Sequence, residues 1–185
     1  YPDAGVGISS GTGRKGAVRY TDLALEAFVE AAREHAWFED TVFVVLADHC
    51  ASSAGRTGLP VLRYHIPLMI HSPAHLEPQV VAKLASQIDL APTLLALLGF
   101  EYESCFFGRD VCDADAPERA LIGNYQELGL LEEDRLAILS PRKGLDVVEN
   151  ARESPRIHTA VEGDTLVLRA MAYYQGADSL VREGR

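Results

Sequence analysis

Six apolar residues, Val42 to Ala47, follow Thr41 without any polar alternation and stop on Asp48 and His49. An unbroken run of this kind predicts a strand over 41–47 covered on both faces, the habit of parallel α/β sheets. A helix is expected upstream, from Thr21 or Asp22 as a cap to about His35, with Leu23, Ala27, Phe28, Ala31 and Ala32 on one face. Residues 1–19 are Gly- and Ser-rich and read as loop, as does Ala51–Leu59. Ile66–Ile70 predicts a second short strand. Residues 86–99 predict a helix: Asp89 is its N-cap, Pro92 sits in its first turn and Gly99 ends it. Beyond an acidic, turn-like stretch at Cys112–Glu118, strands are expected at Ala120–Tyr125 and Arg135–Ser140, separated by turn residues near Glu132-Glu133-Asp134. A last helix, Thr165–Arg182, sets Leu166, Ala170, Met171, Tyr174, Ala177 and Val181 on one face. The order predicts a layered α/β domain over 1–112 and a smaller α+β extension over 113–185.

Composition narrows the chemistry only a little. At 185 residues, 48% hydrophobic and 24% charged, the chain has the make-up of an ordinary globular protein. A net charge of −10 argues against a nucleic-acid partner, which needs a basic surface. It leaves room for an anionic substrate held through a metal. No apolar run approaches the ~18 residues of a membrane helix, and no signal peptide is visible. The cysteines, Cys50, Cys105 and Cys112, include no C-x-x-C pair; a Cys105–Cys112 disulfide is an open option. Tyr1-Pro2-Asp3-Ala4-Gly5 reads as mid-protein loop, so the chain is expected to be a piece of a longer protein.

Asp48-His49 is the principal candidate for chemistry. Ligands of open α/β folds bind beyond the carboxyl ends of strands, and a carboxylate with a neutral imidazole suits a divalent metal. The same pair could instead cap a turn and bond to backbone. Successive strand residues point to opposite faces, so both reach one ion only if the chain turns there; the small residues Ala51–Gly55 permit it. Gly11-Thr12-Gly13-Arg14-Lys15-Gly16 matches G-x-G-x-x-G formally. It lacks the preceding strand and is read as a flexible basic loop, with contact of Arg14 or Lys15 to an anionic substrate as the alternative. Cys50, Ser52 and Ser53 lack the surroundings that activate a nucleophile. His65, His71 and His75 read as structural or surface residues.

In their order and spacing, several segments resemble a sulfatase-type domain of the alkaline phosphatase superfamily. They are Tyr20-Thr21-Asp22, Asp40–His49, Arg63–Ile70, Ser86–Leu95 and Phe106-Phe107-Gly108-Arg109-Asp110. The resemblance is closest to lipoteichoic acid synthase-like phosphoglycerol transferases. It covers residues 1–112, read as the carboxy-terminal part of the layered catalytic domain. Through Asn124–Gly129 and Ala172–Gln175, the tail resembles the terminal extension of a Gram-negative branch.

The resemblance implies that Asp48 and His49 are two ligands of Mn²⁺ or Mg²⁺, ahead of Zn²⁺ or Ca²⁺, with Arg14 and His65 as substrate contacts. It implies a Thr or Ser nucleophile that attacks phosphorus, displaces diacylglycerol and passes glycerophosphate to an acceptor. That nucleophile and a further acidic ligand lie upstream of the matched region. The chain alone is therefore expected to hold metal weakly and to be inactive. Its parent is expected at the outer side of a bacterial cytoplasmic membrane, anchored by an upstream segment and acting on an anionic lipid or another phosphate or sulfate ester. Two other readings stay open: a sulfatase or phosphodiesterase on a small ester, and a non-catalytic binding module. The soluble fragment is expected to self-associate through exposed apolar surface.

Overall fold

In a computed structural model, residues 7–8, 11–50 and 58–184 are described. Their contacts divide the chain into two units, one from Tyr1–Leu46 with Pro67–Pro78, the other from Ala47–Ile66 with Gln79–Arg185.

In the first unit, α1 spans Gly13–Arg33, well before the expected cap. Thr21 does not cap anything. Its hydroxyl donates to the Ala17 carbonyl one turn back, at 3.1 Å, which is the habit of a threonine inside a helix. Residues 14–20 contain no proline and include Arg, Lys and Ala, which favour helix, so the turn chemistry read at Thr21 loses to simple propagation. The flexible loop expected at Gly11–Gly16 is corrected accordingly: a helix does open within the motif. Two strands follow, β1 (Phe43–Leu46) and β2 (Leu68–His71). They pair antiparallel, Phe43 opposite His71 and Leu46 opposite Leu68, rather than in the parallel manner expected. Continuous apolarity reports cover on a strand's faces; it does not report strand direction. Nor are the faces fully covered, since every β1 residue is half-buried. Phe43 is the centre of an aromatic cluster with Phe38 at 5.3 Å, Phe28 at 6.2 Å and His71 stacked at 6.2 Å.

The second unit is built on a five-stranded antiparallel meander in sequence order. Its strands are β3 (Ala120–Gly123), β4 (Leu128–Glu132), β5 (Arg135–Ser140), β6 (Gly144–Glu149) and β7 (Arg156–Thr159). Only the first and third of these were legible in advance. Both faces are covered. Leu130, Ala137 and Val147 meet Leu166, Val167 and Ala170 of α3 (Thr165–Arg182). On the other face, Leu131, Leu136, Ile138 and Val148 meet Leu59 and Ala120, with Val61, Tyr64 and Leu84 packed alongside. The Asp164 carboxylate caps α3, accepting the N–H groups of Leu166 at 2.9 Å and Val167 at 3.3 Å. Val181, assigned to the core face of α3, is 77% exposed because it lies in the last turn, past the end of the sheet contact.

A short 3₁₀ turn, Gln87–Asp89, leads into α2 (Leu90–Leu97), and Gly99 ends that helix with φ +71°. Asp89 holds the N-cap position of α2 as expected, but its side chain makes no cap bond to that helix; Ser86 is the capping residue of the turn before it. The Asp89 carboxylate accepts the Ser86 N–H in a capping box and the Arg109 N–H at 2.9 Å, and it holds the buried Arg119 guanidinium through two bonds of 2.8 and 2.9 Å. Arg119 in turn lies over the Tyr173 ring and donates to the Phe107 carbonyl. Cys105 and Cys112 are free thiols, so the disulfide option is not taken up.

Candidate metal centre

The chain leaves β1 at Leu46 and reaches Asp48 and His49 two residues later, where both side chains are exposed. The local geometry joins them. The His49 N–H donates to Asp48 Oδ1 at 2.9 Å, and the ring Nδ1 lies 3.0 Å from the Cys50 carbonyl oxygen. A carbonyl can only accept, so Nδ1 carries a proton, and the neutral form of a ring so held has its lone pair at Nε2. That nitrogen stands 3.5 Å from Asp48 Oδ2. Two ligands about 2.1 Å from one tetrahedral ion are about 3.4 Å apart, so the donor pair fits a shared cation. The Cys50 carbonyl stands where a backbone carbonyl commonly fixes an imidazole in metal sites. The small residues Ala51–Gly55, read as permitting a turn there, lie outside the described residues.

Two donors are a partial set. Among the described residues, no group of three or more His, Cys, Asp or Glu side chains is placed to hold a metal.

His65 enters through its backbone: the Cys50 thiol donates to its carbonyl at 3.0 Å, while the side chain is exposed. Arg14 is exposed in the first turn of α1, in the other unit. Ser52 and Ser53 lie outside the described residues. His71 ends β2 and stacks on Phe43, a packing role; His75 is on the surface, 3.7 Å from Asp40.

One set of polar residues in the second unit escaped the reading of individual side chains. Gly58 donates its N–H to Glu127 Oε2 at 2.7 Å, and Asn124 Nδ2 bonds both Glu127 at 2.9 Å and the Gly58 carbonyl at 3.3 Å. The available signal was Asn124-Tyr125-Gln126-Glu127, a turn-forming Asn with an acid three residues on. Burial, and then the Glu127 charge, push the nearby Tyr64 phenol above its ordinary pKa.

The sulfatase family model matches residues 12–100. This stretch is part of a sulfatase-family domain. It contains α1, β1, β2, α2 and the Asp48-His49 pair, and it ends before the antiparallel sheet begins. Beyond the sulfatase match, the chain is similar to the lipoteichoic acid synthase-like YvgJ of Bacillus subtilis (strain 168), with 27% identity over 124 residues. That alignment covers 58% of this chain and 20% of YvgJ. A solved alkaline phosphatase superfamily protein from Vibrio parahaemolyticus superposes with a TM-score of 0.87 and 31% identity, covering 100% of this chain and 46% of that one. The mixed α/β fold, extension included, is therefore shared with that structure. Ps i-CgsB shows the same fold at a TM-score of 0.59 and 18% identity, over 87% of this chain and 41% of its own. The chain thus spans a fifth of the curated relative and under half of the solved neighbours. Among the described residues, no helix is long and apolar enough to cross a membrane.

Proposed function

We propose that this chain supplies Asp48 and His49 to the divalent-metal centre of a phosphoglycerol transferase that extends beyond it. The observation that carries this reading is the Nε2–Oδ2 separation of 3.5 Å, with the imidazole tautomer fixed by the Cys50 carbonyl. When bound, Mn²⁺ or Mg²⁺ supplies Lewis-acid neutralisation of a phosphate oxygen and a template for in-line displacement. The chain's own residues bind and orient: Asp48 contributes an anionic oxygen, His49 a neutral nitrogen, and Cys50 holds the ring in place. Similarity to YvgJ supports a glycerophosphate-bearing lipid as the substrate class, with the nucleophile outside this chain and catalysis at the outer face of a bacterial membrane.

A second reading, hydrolysis of a sulfate or phosphate ester, is favoured by the sulfatase match itself. The two differ in whether the product is transferred or released to water. In the complete protein, assayed on phosphatidylglycerol with added Mn²⁺, Asp48→Ala should lower turnover by about 10²-fold or more. Unchanged turnover would remove Asp48 from the metal centre. Release of free glycerophosphate without any acceptor product would favour the hydrolase.

A further inference from the structure

The Cys50 side chain ties the metal pair to buried structure through residues that all lie in the second unit. Its thiol donates to the His65 carbonyl at 3.0 Å, while the Cys50 carbonyl stands 3.0 Å from His49 Nδ1. A short 3₁₀ turn, Val61–Arg63, leads to His65. The Arg63 N–H on the Pro60 carbonyl and the Tyr64 N–H on the Val61 carbonyl, both at 2.9 Å, close it. Val61 and Tyr64 pack against the buried cluster that includes Leu59, Leu131, Leu136 and Ile138. The acceptor of the thiol bond therefore belongs to the immediate neighbour of a residue seated on the sheet core. Burial follows the same order: Asp48 and His49 are exposed, and Cys50 is half-buried.

We propose that the Cys50 side chain is a positioning residue for the metal pair. Its thiol fixes Cys50 on the His65 carbonyl and so holds in place the backbone carbonyl that sets the His49 ring. The inference rests on the reading of Asp48 and His49 as ligands. It concerns the thiol, because any residue at this position would supply the carbonyl. Groups that orient a ligating imidazole tune metal affinity, and a backbone carbonyl can be aimed only by whatever holds its own residue. A thiol is a weak donor, so the contribution is that of a single modest hydrogen bond.

The test uses the isotopically labelled chain and Mn²⁺, whose paramagnetism broadens nearby amide signals even when binding is weak. In the wild type, signals of Asp48 and His49 should broaden first, and Asp48→Ala should abolish this. Cys50→Ala should raise the Mn²⁺ concentration for half-broadening about fivefold, and Cys50→Ser, which keeps a donor, should stay within about twofold of wild type. A second readout needs no metal. At about pH 8, where an ordinary imidazole is neutral, the ring nitrogen signals of His49 should report the Nδ1–H tautomer in the wild type and a mixture in Cys50→Ala. The amide signals of Leu131 and Leu136 should stay in place in every variant, which shows that the sheet is intact. If Asp48→Ala abolishes broadening but Cys50→Ala leaves either the Mn²⁺ requirement or the tautomer unchanged, or Cys50→Ser fails to restore them, the positioning role is overturned and the metal reading stands. If Asp48→Ala leaves the broadening intact, the metal reading fails and the positioning role falls with it.

Discussion

At the scale of single residues, two aspartates have opposite surroundings. The Asp89 side chain is 4% exposed, and its partner Arg119 is 1% exposed. Burial disfavours the Arg119 charge, but hydrogen bonds to Asp89 and Tyr173 more than restore it, so its pKa lies above the ordinary value. The Asp48 side chain is 86% exposed, and among the described residues its partner is the exposed His49. Removing one member of a buried ion pair strands the other, so Asp89→Ala should destabilise the fold by about 3–5 kcal/mol. Asp48→Ala should change stability by less than about 0.5 kcal/mol. Chemical denaturation of the two variants checks the contrast; a mild Asp89→Ala would mean that water or a rearranged Tyr173 satisfies Arg119. The sequence made Asp48 visible because it interrupts an apolar run. It made Asp89 visible only as a cap, because Arg119 is 30 residues away and nothing in local spacing points to it.

At the scale of elements, legibility followed the strength of local punctuation. The bounds of α3 are Thr165–Arg182 as expected, because a capping aspartate precedes a long amphipathic stretch. The strand β5 was equally clear, since Asp134 and Pro141 bracket it. Gly144–Glu149 and Arg156–Thr159 were missed: the first carries Asp146 among its apolar residues, and the second is exposed along its whole length. What made them strands is pairing, Leu136 with Val148 and Val147 with His158, which is information held in other parts of the chain. The cap of α3 also makes a pH prediction. Burial raises the Asp164 carboxyl, but bonds from Arg135, Val167 and Leu166 more than offset this and hold it below the ordinary carboxylate value. A depressed folded-state pKa contributes stability that is present above about pH 4 and is lost as pH falls through the lower, folded value. Asp164→Ala should therefore cost about 1 kcal/mol at neutral pH and less as the pH is lowered toward 2, so that the two denaturation curves converge in acid. A constant difference across that range would show that the cap acts without its charge.

At the scale of the whole molecule, the fold class was readable and the strand direction was not. An unbroken apolar strand was read as parallel, yet Leu128–Leu131 and Leu136–Leu139 are just as apolar and lie in an antiparallel sheet covered on both faces. Two-sided cover, by a helix on one side and Leu59 with its neighbours on the other, explains the pattern without any crossover connection. The first unit shows what happens without such cover. Leu68 is 44% exposed and Met69 58% exposed on β2, and Phe28 and Trp37 are 54% and 47% exposed nearby in the same unit. Large exposed apolar side chains beside an open strand edge favour association with another chain. The chain as given should therefore form dimers or larger species as concentration rises, and Met69→Lys should shift it toward monomer, because a charge on an edge strand opposes both pairing and apolar contact. Light scattering across a concentration series is the measurement. A monomer at the highest concentration would show that β2 is protected in solution; association that persists in Met69→Lys would move the contact off β2, and the exposed Phe100, Tyr102 and Phe106 of the second unit would be the next surface to charge.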